Sequence, residues 1–305
     1  MGLVTKFNLV LLLTFSLGLA GAGYFAHTML QRNAQAEVVH DATLLMEGAM
    51  AIRSYTINQI QPLLTLQMKR QFLPQSVPAY AATTSIRYLR REYPDYTYKE
   101  ATLNPTNLAD RATDWEADLI EWFRNNRETQ ELVGQREAAT GPMLYMARPI
   151  EITDENCLVC HDTPERAPQT LLAKYGDSNG FGWKLNEIVG AQVVTVPMSV
   201  PFDRANQAFV TFMGGLAGVF VLVAIAVNLL LYVIVIRPVK RMAEVANAVS
   251  MGNENVPELT IHGRDQIALL ATSFNRMRRS LGSAMKMLED SMHDEHDSSR
   301  DRSGY

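Results

Sequence analysis

Cys157-Leu158-Val159-Cys160-His161 holds the only two cysteines of the 305-residue chain and ends in a histidine. In a C-x-x-C-H pentad the two thiols add across the vinyl groups of a haem, and the histidine that follows is placed to bind the iron from the proximal side. The pentad therefore implies one covalent haem c, held by Cys157 and Cys160 with His161 on the metal. Zinc is the poorer alternative, because a tetrahedral site needs four N or S ligands and the chain has no second cysteine pair. A thioredoxin-like dithiol does not call for the trailing histidine. Haem c is attached outside the cytoplasm, so this reading requires residue 157 to be exported, and that requirement shapes the rest of the architecture.

Two apolar runs supply the topology. Residues 9–29 carry no Asp, Glu, Lys or Arg, and about 20 apolar residues suffice to span a bilayer. The run is long for a secretory h-region and lacks an A-x-A pattern at Gly21-Ala22-Gly23, so it reads as an uncleaved anchor rather than a signal peptide. A second run, residues 208–236, is followed at once by Arg237, Lys240 and Arg241, a basic cluster that the positive-inside rule assigns to the cytoplasm. The expected division is a cytoplasmic N-terminus (1–8), a first span (9–30), an exported domain (31–207), a second span (208–236), a cytoplasmic helical module (237–283) and a tail (284–305). Both ends inside leave the pentad outside, in the compartment haem c needs. The net charge of −4 averages apolar spans with polar domains and indicates no nucleic-acid partner.

Residues 31–207 are enough for one compact domain. From Gln31 to Arg70 apolar residues recur at helical spacing, among them Val38, Leu45, Ala49 and Ile52, so the first span is expected to continue outward as a long helix that Pro62 kinks or ends. Asp114–Arg124 reads as a short amphipathic helix. Residues 143–152 and 188–198 read as strands, the latter rich in β-branched residues. Tyr175 to Gly182 is a turn-rich linker able to cover one haem edge. Helices followed by a small antiparallel sheet make this an α+β domain.

Asn104-Pro105-Thr106-Asn107 with Trp115-Glu116, Tyr145 to Ile150, the pentad, Tyr175-Gly176-Asp177 and Gly190-Ala191 before a β run resemble, in that order, the c-type haem-binding, PAS-like sensor family once catalogued as a domain of unknown function. The resemblance spans most of residues 36–200. It implies a PAS-like fold, proximal ligation by His161 and sensing of redox state or a small ligand. Some members of that family use a cysteine of the opening helix as second axial ligand, and this chain has no third cysteine. The remaining distal candidates are His40, the only other histidine of the exported domain, and Met46, Met50, Met68, Met143, Met146 and Met198, since a methionine is either a thioether ligand or core filler. Tyr55 falls near the region where the family's helix faces the haem. Arg53 is placed to pair with a haem propionate, because a guanidinium fork matches a carboxylate.

In the cytoplasmic module Val239, Met242, Val245, Ala246 and Val249 follow a three-four spacing, as do Ile267, Leu270, Phe274, Met277 and Leu281. Two such short helices cannot bury their stripes alone, and a parallel dimer would complete a four-helix bundle. Pro238, Gly252, Asp265 and Phe274-Asn275-x-Met277 resemble the HAMP signalling module, from which Gln266 and Ala268 depart, glutamate and glycine being usual there. Residues 284–305 are expected to be a short helical extension and a disordered tail, too small for an output domain. The expectation is a homodimeric, two-pass sensor of a bacterial inner (cytoplasmic) membrane with a periplasmic PAS-like haem c domain. It would report redox or gas state through HAMP to a separate kinase, cyclase or chemoreceptor-type protein. A membrane-anchored electron-transfer cytochrome is the alternative. No acid–base set typical of a peroxidase is present, so no enzyme is expected.

Overall fold

The computed structural model describes residues 2–253, 256–260, 263 and 265–301. The elements are α1 (Leu3–Tyr55), α2 (Gln61–Met68), α3 (Pro78–Leu89), β1 (Thr97–Thr102), α4 (Asp114–Asn125), β2 (Leu132–Ala138), β3 (Gly141–Glu151), α5 (Leu158–His161), α6 (Gln169–Tyr175), β4 (Ile188–Pro197), α7 (Ser199–Leu231), α8 (Arg237–Ser250) and α9 (Gln266–Asp301). The chain divides into two compact units, residues 20–213 and residues 1–19 with 214–305.

The first unit is built on a four-stranded antiparallel sheet in the order β1-β4-β3-β2. β4 lies between two neighbours and is buried along nearly its whole length, which suits its predominantly small and β-branched residues. Gly190 in β4 sits so close to β1 that a Cβ there would meet the Ala101 carbonyl oxygen at 2.4 Å. One face packs against α1, whose Val38, Ala42, Met46 and Ala49 recur every three or four residues and meet Tyr98, Leu144, Met146, Val194 and Val196, with Ala82 and Ile86 of α3 completing the cluster. The other face takes Leu119, Ile120 and Phe123 of α4 against Ala101, Ala147, Ala191 and Val193.

The opening helix is interrupted where the proline predicts it. A π turn over Thr56–Ile60 joins α1 to α2, and Pro62 lies two residues past it. Proline lacks the N–H that would bond its fourth predecessor and its ring crowds that carbonyl, and the wider π turn relieves both. The same arrangement recurs at Tyr232–Ile236, two residues before Pro238, between α7 and α8. Two helical stretches, Val4–Met68 and Ser199–Ser250, are long and apolar enough to cross a membrane.

In the second unit Asn228 of α7 donates to Asn8 of α1 at 2.7 Å, and Phe15 stacks on Phe220 with ring centroids 4.6 Å apart. Met242, Val245, Leu259 and Ala271 form the core of α8, connector and α9. Asp265 caps α9, its Oδ1 accepting from the Ala268 amide at 2.8 Å, so the helix start is secured by Asp265 despite Gln266 and Ala268. α9 runs on to Asp301, across most of the stretch expected to be a short helical extension and tail. Ala284 to Glu289 are mostly good helix formers, and each residue added to an existing helix gains a hydrogen bond without a new nucleation cost. Residues 302–305 of that tail lie outside the described residues.

Candidate functional site

The pentad sits on a 3₁₀ turn, Glu155–Cys157, running directly into the single helical turn α5. Asp154 starts it, its Oδ1 accepting from the Asn156 amide at 2.9 Å. This puts Cys157 and Cys160 about one turn apart on the same short helix, where residues three apart are neighbours. Both thiols are free and half-buried. Burial, then the Asp154 carboxylate, pushes the Cys157 thiol pKa up against the opposing pull of Arg53. Burial, then Cys157, raises that of Cys160.

His161 is held more firmly than its place at the end of one helical turn suggests. Its Nδ1 lies 2.7 Å from the Gly180 carbonyl oxygen and donates to it, and its ring stacks on Trp183 with centroids 3.9 Å apart and planes 8° from parallel. The Trp183 amide returns a bond to the His161 carbonyl at 3.1 Å, and the Gly182 amide bonds that of Asp162 at 2.7 Å. Burial lowers the imidazole pKa, opposed by the bond to Gly180. A neutral ring with Nδ1–H engaged leaves Nε2 as the free lone pair, the arrangement expected of an imidazole metal ligand.

The loop that provides this carbonyl is fixed from the other side. Asn104 accepts from the Gly180 amide at 3.2 Å and donates to the Phe181 carbonyl at 3.3 Å. Gly180 has φ +85°, and a Cβ there would lie 2.8 Å from the Thr106 backbone nitrogen and Cα. Gly180, Trp183 and the clamp role of Asn104 are not singled out by sequence reasoning. The signals available were the Asn-Pro motif and the glycine-rich loop, neither of which says which backbone oxygen the histidine meets.

Around Cys160 lies an apolar cluster of Phe72, Ala167 and Leu171 flanked by Met68, Tyr175 and Phe181. Two adjacent free thiols, an imidazole with one free nitrogen and an apolar, aromatic surround fit the attachment of a flat macrocycle such as the haem expected from the pentad. Among the described residues no three His, Cys, Asp or Glu side chains gather as a metal-ion set.

The other candidate residues are placed unevenly. Arg53, close enough for its charge to oppose the shift at Cys157, is bound by Glu100, Nη1 donating to Oε1 at 2.6 Å and also contacting Oε2, while the Tyr98 hydroxyl donates to Oε1 at 2.8 Å. Burial pulls the Arg53 pKa down, and Glu100 and Tyr98 more than offset this, so it lies above its ordinary value. Arg53 is thus half-buried and paired through Nη1 with the buried Glu100 carboxylate. Tyr55 is 59 % exposed on α1. His40 is exposed on the same helix, 13 residues before Arg53 and so roughly 20 Å away along the axis, and the structure does not bring it to the pentad. Met46, Met146 and Met198 are core residues against the sheet, and Met143 is buried as well. Met68 alone among the candidate methionines joins the Cys160 cluster, its sulfur accepting from the Leu73 amide at 3.1 Å and the Ser76 hydroxyl at 3.3 Å.

Residues 31–197 match the family model described as Tll0287-like, Tll0287, and residues 230–283 match that of the HAMP domain. The crystal structure of the cyanobacterial heme-protein Tll0287 is similar at 17 % identity with a TM-score of 0.39, over 53 % of this chain and 94 % of that one. No curated protein matches.

Proposed function

From the premise that this chain belongs to the Tll0287-like family, with a HAMP domain after its second apolar helix, we propose a membrane-bound haem c sensor. Cys157 and Cys160 hold the haem by thioethers and His161 Nε2 binds the iron. The haem supplies a one-electron ferric/ferrous couple and, where the second axial position is weakly held, a site for a small gaseous ligand. Gly180 and Trp183 fix the rotation and plane of the imidazole, and Asn104 holds the loop that carries them.

The observation that carries the reading is the course of the chain out of the site. Trp183 stacks on His161, β4 begins five residues later at Ile188, and α7, the π turn and α8 follow with no loop from Ser199 to Ser250. The stack supports a role for β4 in passing a displacement at His161 toward HAMP, provided the two states of the site favour different arrangements of that path. We read the exported domain as PAS-like and periplasmic, the membrane as the bacterial inner membrane, and the output as cytoplasmic. The reading is of a signalling protein rather than an enzyme.

A homodimer is the signalling species in this reading. Among the described residues Leu270 is 55 % and Met277 61 % exposed on α9, at the seven-residue spacing of a helix–helix seam, while the opposite side of α9 is covered by α8 and the connector. A second copy is the natural cover.

The test is the optical and EPR spectrum of the full-length protein in detergent, ferric and ferrous, with and without CO and NO. Loss of Soret absorbance on acid–acetone extraction would defeat the covalent assignment. CO binding to the ferrous form supports a gas input and a CO-resistant low-spin spectrum a redox input. A donor-reducible haem whose state leaves cysteine cross-linking yields along α8 unchanged would favour the electron-transfer alternative.

A further inference from the structure

The sheet face that carries α4 is not covered along its whole length. Beside Trp115 a cleft of about 460 Å³ opens over β1, β4 and the β2–β3 hairpin, with α3 forming its far wall. Neither the pentad nor Trp183 lines it. Its volume falls within the ~300–1,000 Å³ usual for small-molecule sites.

The charges around this cleft do not cancel. Lys99 is committed, its Nζ donating to Glu116 Oε2 and to the Arg111 carbonyl, each at 2.7 Å. Removing that pair leaves Arg87, Arg90 and Arg136 facing only Asp95 and Asp110, and Asp110 already accepts from the Asn107 side chain at 3.1 Å. Arg136 lies over Trp115, its guanidinium carbon 4.3 Å from the ring centroid, and among the described residues no carboxylate pairs with it. A cation over an aromatic face is held by the ring's quadrupole, and a guanidinium without a carboxylate partner keeps N–H donors able to grip a carboxylate with two parallel bonds. Below, the hydroxyls of Thr97 and Thr195 pair across β1 and β4, two more groups able to donate or accept.

We propose that this cleft is a receptor site for a small organic carboxylate, gripped through its carboxylate by Arg136 above Trp115 and drawn in by Arg87 and Arg90. The exported domain then carries a second chemical input that needs no haem, so the site stands or falls apart from the haem assignment.

The experiment is isothermal titration of the full-length protein in detergent with acetate, benzoate, succinate and citrate, and with sulfate as an inorganic comparator. Arg136→Gln and Arg87→Gln are the test variants. Arg148→Gln is the control, since Arg148 pairs with Glu47 and Glu131 outside the cleft. The expected result is saturable binding of at least one acid, weakened ~10-fold or more by Arg136→Gln, weakened less by Arg87→Gln, unchanged by Arg148→Gln, with the visible spectrum of every variant unaltered. Saturable binding of none of the acids, binding of sulfate as tight as that of the best acid, or an equal loss in the control would overturn the proposal.

Discussion

The Tll0287-like domain and the HAMP segment bury their side chains in opposite ways. In the Tll0287-like domain a sheet takes helices on both faces, and even its charged interior is satisfied, Glu100 holding Arg53 and the Tyr98 hydroxyl together. In the HAMP segment the buried core is Met242, Val245, Leu259 and Ala271, while Leu269, Leu270, Met277 and Leu281 stay largely exposed. The first can hold a cofactor in fixed geometry by itself. The second is left with an apolar stripe on α9 that the helices around it do not cover.

The largest effect that would break this comparison is all-or-none. Cys157→Ser with Cys160→Ser is expected to abolish haem staining on a denaturing gel while leaving HAMP cross-linking intact; retained covalent haem would remove the pentad from the assignment. Next is Glu100→Ala, which leaves the half-buried Arg53 guanidinium without its carboxylate and is expected to cost the Tll0287-like domain up to ~3 kcal/mol. An unchanged thermal midpoint would mean that Arg53 finds another partner, a haem propionate being the informative one. Gly180→Ala forces a side chain into a left-handed conformation against the Thr106 backbone, at a cost on the order of 1–3 kcal/mol. It should also change the His161 spectroscopic signature, and a lost midpoint with an unmoved spectrum would separate folding from ligand positioning.

The smallest effects fall in the HAMP segment. Asn275 is buried and its side chain bonds both the amide and the carbonyl of Leu259, at 3.2 and 2.9 Å. Asn275→Ala should cost ~1–3 kcal/mol, speeding hydrogen exchange at the Leu259 amide with no change in the haem spectrum. Asp265→Ala removes the cap of α9 and should cost ~1 kcal/mol, and circular dichroism that melts unchanged would show the helix start to be held by packing instead.

Much of this was legible beforehand. The apolar runs, the long opening helix interrupted at Pro62, strands β3 and β4, the amphipathic α4 and the HAMP spacing all carry local periodicities that sequence alone displays. β1 and β2 do not. β1 reads Thr-Tyr-Lys-Glu-Ala-Thr and β2 Leu-Val-Gly-Gln-Arg-Glu-Ala, and both lie at sheet edges, where charge is tolerated and hides the alternation. The buried polar groups of β1, Glu100 above all, become readable only once Arg53 is seen 47 residues away. The stripe on α9 was predicted through Ile267 and Phe274, and these do pack inward, whereas Leu270 and Met277 of the same stripe remain outside.

The sequence by itself determined the chemistry and the layout: two thiols and a histidine at one-turn spacing, two membrane-length apolar runs and a basic cluster after the second. These are properties of neighbours along the chain, and periodicity and composition record them. Only the tertiary structure decided how the histidine is held, because the Gly180 carbonyl and the Trp183 ring reach it from residues 19 and 22 positions away, and Asn104, 57 positions away, clamps the loop that carries Gly180. It also decided that Arg53 is bound to Glu100 and that His40 stands apart. Hydrogen bonds and ring stacking act over a few ångströms, and which distant residues come within that reach is fixed by packing, which leaves no local mark in the sequence.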